Sequence, residues 1–421
     1  MPKVPTSARK LRPFDQVVAI GNGLIDPRKP EFRDRLHVGP DNISSDSGRI
    51  VHPLQTGREL GLKSGKFPFE VGDILYSKIR PNLNKVAIAD VRGICSADMY
   101  VLKPKGIDRS FLFHSLRDEF FYKQAVAASM RSGLPKVNRD DLSMMELRVP
   151  SLPAQRRTAA ILDEWDSAIA AAEKLVEANR HRKNAIRDAL FRSNLRLGNY
   201  STEWNATPLA NLLRVRGETS VGDETVYSVS VSRGLVDQVE HLGRSFSATN
   251  TDKYNRVCFG DVVYTKSPTG SFPLGVVKQS HVENDVIVSP LYGVYVPKSI
   301  PHGHLIDLYF SSPSAAEKYL APFVHRGAKN TMAITDEGFL AGEIPMPPTQ
   351  EEANVTGKFV EALNNEIDRL EDYCVHLRLQ KRGLMQKLLS GDWPLPESID
   401  RMLPGGHEAG GAEVQRAEAT G

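Results

Sequence analysis

The chain repeats itself at long range, and that repeat limits its possible folds more than any other feature. Arg131–Gln155 reads RSGLPKVNRDDLSMMELRVPSLPAQ, and Arg326–Gln350 reads RGAKNTMAITDEGFLAGEIPMPPTQ. The two align without gaps at an offset of 195, bringing Asp141 onto Asp336, Pro150 onto Pro345 and Gln155 onto Gln350. The same offset lays Leu11–Val18 on Ala206–Leu213, and Gly72–Lys78 (GDILYSK) falls on Gly260–Lys266 (GDVVYTK) at an offset of 188. Three matches in preserved order imply two copies of one domain, at a period far beyond any solenoid unit.

Each copy ends in a long helical pattern. From Gln155 to Phe191 there is neither Pro nor Gly, and Trp165, Ile169, Ala172, Val176, Ile186 and Leu190 recur at helical spacing. From about Gln350 to Leu389 the stripe is Phe359, Leu363, Ile367, Leu370, Cys374, Leu377, Leu384 and Leu388. Lys183 and Lys381 interrupt the two stripes one heptad before the last Leu. Matching length, phase and interruption favour pairing of the two helices with each other, the polar positions fixing register. The plainer alternative is that each packs on its own globular half. A helix of about 36 residues spans roughly 54 Å at 1.5 Å per residue.

Ahead of each helix lies a mixed segment of short β-branched and aromatic runs, such as Val86–Ile88, Met99–Leu102, Val226–Val231 and Tyr292–Val296, between Gly, Asn and Asp turns. Helical stretches are expected near Ser110–Ser129 and Ile306–Leu320. The fold class is therefore α+β: two similar mixed α/β domains separated by two long helices forming an antiparallel coiled coil, with an internal pseudo-two-fold repeat. The expected boundaries are 1–153, 154–196, 197–348 and 349–395, and a Gly- and Ala-rich tail, 396–421, is expected to be disordered.

Composition narrows the function. Fifty-four Lys and Arg against fifty-one Asp and Glu leave a formal charge of +3, so any nucleic-acid surface has to be local. Cys95, Cys258 and Cys374 are far apart and outside any metal spacing, which disfavours a disulfide framework or a structural zinc. No apolar run approaches 18 residues, so a soluble cytoplasmic protein without membrane contact is expected. There is no G-x-x-x-x-G-K-[ST], H-E-x-x-H or G-x-S-x-G pattern, and Gly21-Asn22-Gly23 lacks the third glycine of a dinucleotide site. No Asn-Pro-Pro-aromatic tetrapeptide occurs either. No metal site and no catalytic residue is expected in this chain.

Two clusters in each copy carry a binding chemistry. After the Gly-Asp turns, alternation places Tyr76 with Lys78, and Tyr264 with Lys266, on one strand face. Lys78, Arg80, Asn82, Asn84 and Lys85 then gather phosphate and base-edge donors; Lys266 and Thr269 begin a sparser version. Before each long helix, Arg131, Ser132, Lys136, Asn138 and Arg139 in one copy, and His325, Arg326, Lys329, Asn330 and Thr331 in the other, crowd a loop rich in small residues. Solvated strand faces and loops are the plain alternative; recurrence in both copies favours a duplicated ligand surface.

The order GDILYSKIRP, basic Ser-Gly loop, LRVPSLPAQRR and a long helix with Ile161-Leu-Asp163 resembles the specificity subunit of type I restriction–modification enzymes. IPMPPTQ through LMQKLLSGDW looks like the second half of the same family, so the resemblance covers about residues 10–395. It implies two target-recognition domains, each reading one part of a gapped double-stranded DNA sequence. It also implies two conserved spacer helices that act as a ruler and dock two modification subunits, which methylate adenine. A restriction subunit can join them. S-adenosylmethionine, ATP and Mg2+ belong, on this resemblance, to the partner chains and not to this one. The helix-pairing seam is expected at Trp165, Ile169, Val176, Ile186, Leu190, Ile367, Leu370, Cys374, Leu377, Leu384 and Leu388. Two departures stand out: Glu351-Glu352 replaces Arg156-Arg157, and nothing after Lys266 matches Ile79-Arg80-Pro81. The competing reading is a coiled-coil interaction scaffold without DNA specificity; an enzyme with an unfamiliar site is a third.

Overall fold

The computed structural model describes residues 10–130, 135–192, 195–239, 251–326 and 332–402. The chain forms two compact units, one of Met1–Ala172 with Tyr373–Gly421 and the other of Glu173–Asp372.

In the first unit, the strand Ile74–Ser77 sits inside a four-stranded antiparallel sheet, in the order Val18–Ile20, Met99–Pro104, Ile74–Ser77, Val86–Ile88. Its four residues are all buried because each face meets a different core. Ile74 and Tyr76 pack with Phe14, Phe111 and Phe121, and Leu75 packs with Val38, Phe69 and Val101. A strand covered on both faces needs a continuous apolar run rather than alternation. Tyr76 is 4% exposed and pairs opposite Tyr100, so it belongs to the core, and the strand stops at Ser77, just before Lys78. Lys10–Pro13 pairs antiparallel with Glu146–Val149. The helices Arg109–Arg117 and Glu119–Ser129 begin at Asp108 and Asp118, whose carboxylates accept the amides of Phe111 and Phe120.

The second unit has the same strand order, Leu213–Val215, Gly293–Pro297, Val262–Tyr264, Val277–Gln279. Val262 and Tyr264 again face one core and Val263 another. Asn205–Pro208 pairs with Glu343–Met346. The registers Lys10↔Val149 and Asn205↔Met346 make Val149 equivalent to Met346, an offset of 197. The preceding helices, Arg139–Ser143 and Asp336–Leu340, obey the same offset, capped by Asn138 and Thr335. This corrects the gapless match of Asp141 with Asp336: the structural counterpart of Asp336 is Arg139. The longer connection from Pro150 to Gln155 restores the offset of 195 at the helix starts. There Gln155 accepts the Asp108 amide and Gln350 donates to Ser299, and both partners are N-cap residues of the preceding helix.

The long helices run Leu152–Phe191 (40 residues) and Gln350–Ser390 (41 residues), against the expected spans 154–196 and 349–395. The first contributes residues up to Ala172 to the first unit; the second contributes residues up to Asp372 to the second unit. In the first unit Ala159 and Leu162 share a core with Leu388 and Leu389, and Lys381 Nζ lies 2.5 Å from Asp166. In the second, Leu190 shares a core with Ala353 and Val360, while Arg180 pairs with Glu371 at 2.7 Å and Arg182 with Glu366.

Of the expected seam residues, Ile169, Val176, Leu190, Ile367, Cys374, Leu377 and Leu388 are buried. Trp165, Ile186, Leu370 and Leu384 are only half-buried, and Ala170, Ala172 and Asn179 take buried positions between them. Lys183 is half-buried too, and burial lowers its pKa against the opposing pull of Asp307. The expected disordered tail begins instead with a 3-10 helix, Glu397–Met402. Residues 403–421 lie outside the described residues.

Candidate nucleic-acid interface

In the first unit the site is assembled by backbone pairing between two loops far apart in sequence. The turn at Gly72 has φ +87°, a left-handed backbone that favours glycine, and the Arg109 guanidinium lies over it. Asp73 closes this turn by accepting the Glu70 amide, as Asp261 accepts the Cys258 amide in the second unit. The buried strand then leads straight into Lys78. There the Val137 amide donates to the Lys78 carbonyl (2.8 Å) and the Arg80 amide to the Pro135 carbonyl (3.0 Å). Ile79 and Lys136 form an antiparallel bridge. Lys78, Arg80 and Lys136, 58 residues apart at the extremes, therefore share one edge.

Among the described residues, the only non-glycine residues with positive φ are Arg80 (49°), Asn84 (47°) and Lys266 (54°). All three lie in the loops that follow the Gly-Asp strands. Left-handed backbone at ordinary residues costs free energy and persists where surrounding structure enforces it, a pattern concentrated at functional sites. Arg80, Asn82 and Lys136 are exposed and have no side-chain hydrogen bond or ion pair among the described residues. The Lys78 ammonium and the Arg139 guanidinium lie 5.6 and 5.7 Å from the centre of the Tyr100 ring. Arg139 is further fixed by the Gly21 carbonyl (2.7 Å) and Asn22 Oδ1 (2.5 Å). Arg139, expected in this loop from the sequence, thus joins the cluster.

Other expected donors are engaged inside the protein. Asn84 Nδ2 donates to the Arg117 carbonyl at 3.0 Å. Lys85 Nζ donates to the Pro40 carbonyl at 2.8 Å, and its side chain is 15% exposed. Asn138 Oδ1 accepts the Asp141 amide in a capping box. Arg131 lies outside the described residues.

The second unit places a lysine at the same strand exit but follows it with a different loop and different electrostatics. Lys266 Nζ pairs with Asp336 Oδ1 at 3.2 Å, and the Tyr295 hydroxyl donates to the same oxygen at 2.9 Å. Asp336 stands where the first unit has Arg139, so the lysine whose counterpart gains a second cation is here neutralised. Thr269 is exposed in a tight hairpin, exchanging backbone hydrogen bonds with Phe272. The Arg326 backbone pairs with Met332; its side chain, and Lys329, Asn330 and Thr331, lie outside the described residues.

Metal-binding residue types converge at His114, Asp163 and Asp166 in the first unit. Each already has a partner there: His114 Nε2 to Asp163 at 2.8 Å, Ser110 to Asp163 at 2.6 Å, and Lys381 to Asp166 at 2.5 Å. Burial lowers the His114 pKa, so the ring is held neutral beside the Asp163 carboxylate. The arrangement is a polar joint between the helix Arg109–Arg117 and the two long helices.

Residues 43–179, which contain both loops and the start of the first long helix, match the family model described as the type I restriction modification DNA specificity domain. Over part of its length the chain is similar to type I specificity subunits. It is 35% identical over 206 residues to the type I restriction enzyme EcoDI specificity subunit of Escherichia coli. That match spans 49% of this chain and 45% of that relative's length. It is 22% identical over 421 residues to the putative MjaX specificity subunit of Methanocaldococcus jannaschii, covering 90% of this chain and 91% of that protein. In fold it is similar to the type I restriction–modification S subunit from M. genitalium, with a TM-score of 0.55 at 13% identity over 92% of this chain and 98% of the other. Among the described residues, no helix is long and apolar enough to cross a membrane.

Proposed function

We propose that this chain is a type I specificity subunit that reads a two-part, gapped double-stranded DNA target, one part with each unit, and performs no catalysis itself. The observation that carries this reading is the recurrence, in both units, of a left-handed Lys/Arg loop at the exit of a doubly buried strand. Such an exit points cations outward from a rigid support. Lys78, Arg80 and Lys136 neutralise phosphates, and Asn82 supplies a base-edge donor and acceptor. The second unit relies less on charge, because Asp336 offsets Lys266.

The long helices act as the spacer, pairing as one antiparallel coiled coil that relates the halves by a pseudo-two-fold axis. Falling partner numbers along rising ones, Arg180 with Glu371 and Arg182 with Glu366, support that direction. At 40 and 41 residues the helices are each about 60 Å long, enough to hold two readers up to roughly one and three-quarter duplex turns apart. Leu175, Tyr373, Val375 and Leu379 remain exposed on them, apolar surface suited to modification subunits. S-adenosylmethionine, ATP and Mg2+ act in those partners and in a restriction subunit, all in the cytoplasm. The test is DNA binding by the assembled complex as a function of salt. Several phosphate contacts give a steep loss of affinity with salt; a flat response, or no affinity for DNA, overturns the reading in favour of a protein scaffold.

A further inference from the structure

The charge difference between the two long-helix starts has a structural counterpart. Two residues beyond the anchoring glutamines stand Arg157 and Glu352, 7% and 1% exposed. In the first unit Arg157 Nη1 donates to Asp400 at 2.7 Å. Asp400 belongs to the 3-10 helix Glu397–Met402, in the segment that follows the second long helix. In the second unit Glu352 Oε1 accepts the Trp204 indole N–H at 2.8 Å, with Arg196 Nε 3.9 Å away. The Arg196 guanidinium lies 5.0 Å from the Trp204 ring centre. Both residues belong to the segment that follows the first long helix. Each unit is thus fastened by the segment trailing the other half's helix, and the two fasteners have opposite polarity.

We propose that Arg157–Asp400 and Glu352–Arg196/Trp204 are a charge code that closes each unit with the other half of the same chain and rejects the same half of a second copy. Pairing like halves would bring Arg196 onto Arg157 and Asp400 onto Glu352. Each contact would hold two like charges at a helix start almost closed to solvent, where water cannot screen them. Both halves present the same strand order and a long helix of similar length, so their folds alone do not distinguish the two pairings. The inverted charges supply the discrimination that shape alone lacks. This holds independently of what the protein binds.

The test uses the full chain. Exchanging the two helix-start charges (Arg157→Glu with Glu352→Arg) makes each trailing segment complementary to its own half. At equal concentration this double variant is expected to shift by light scattering from the wild-type mass towards twice that mass. Wild-type mass together with a wild-type melting midpoint overturns the proposal. If the double variant fails to fold, the first fastener decides. Arg157→Glu alone lowers the melting midpoint by at least about 5 °C, and Arg157→Glu with Asp400→Arg recovers more than half of that loss. A pair variant no more stable than Arg157→Glu alone overturns it.

Discussion

The two lysines of the first-unit loop make opposite predictions although they lie seven residues apart. Lys78, Arg80 and Lys136 converge on one edge, whereas the Lys85 ammonium is held by the Pro40 carbonyl at 2.8 Å. Replacing Lys78, Arg80 and Lys136 together with Ala removes three cations available to phosphates. Each contact contributes about 0.9 to the slope of log affinity against log salt, so the slope flattens by up to about 2.7. Between 50 and 200 mM salt that is a difference of roughly 40-fold in how much affinity is lost. Lys85→Ala leaves the slope unchanged. In the second unit, Asp336→Asn releases Lys266 from its 3.2 Å ion pair and steepens the slope by about 0.9. Fluorescence anisotropy of the assembled complex on a labelled duplex, titrated across salt, measures all four proteins. A triple variant with the wild-type slope refutes the interface, and a Lys85→Ala variant as flat as the triple refutes the assignment of roles within the loop.

Phe339 is fully buried and its ring centre lies 4.9 Å from that of Tyr264 and 4.7 Å from that of Tyr295, so Phe339→Ala is expected to cost about 3–5 kcal/mol. Chemical denaturation of the full chain checks this, and a loss below about 1 kcal/mol contradicts the packing described. Burial lowers the pKa of His37 (to about 4), His114, His302 and His304. Groups with a depressed folded-state pKa that bear charge only when protonated keep their stabilisation above the unfolded value near 6.5 and lose it as pH falls towards the folded value. The melting midpoint is therefore expected to drop between pH 7 and pH 5, each histidine contributing at most about 1.4 kcal/mol per pH unit; a flat profile over that range contradicts it.

The repeat, the long helices and the position of the candidate loops were legible because each depends on local spacing. Gln155–Phe191 lacks Pro and Gly and carries a stripe, and the helix forms there, starting earlier at Leu152 with Pro153 in its first turn. The strand after Gly72 was legible as a strand but not as one buried on both faces, because Leu75 meets residues from Val38 to Val101. The fate of individual polar groups was least legible. Asn84, Lys85 and Lys266 find partners 33, 45 and 70 residues away, which no local pattern encodes. Asn138 is the exception: Asn-Arg-Asp-Asp141 is a capping sequence, and the structure uses it so. The sequence match of Asp141 with Asp336 concealed the more telling equivalence of Arg139 with Asp336, which appears only once strand register is known.

The proposed function makes this chain the one that chooses a DNA target for methylation by partner chains. The most direct measurement is a genome-wide map of methylated adenines with this gene intact, deleted, and restored. The account predicts that one two-part, gapped motif loses its methylation on deletion and regains it on restoration. An unchanged map in cells that express the modification partners would contradict it.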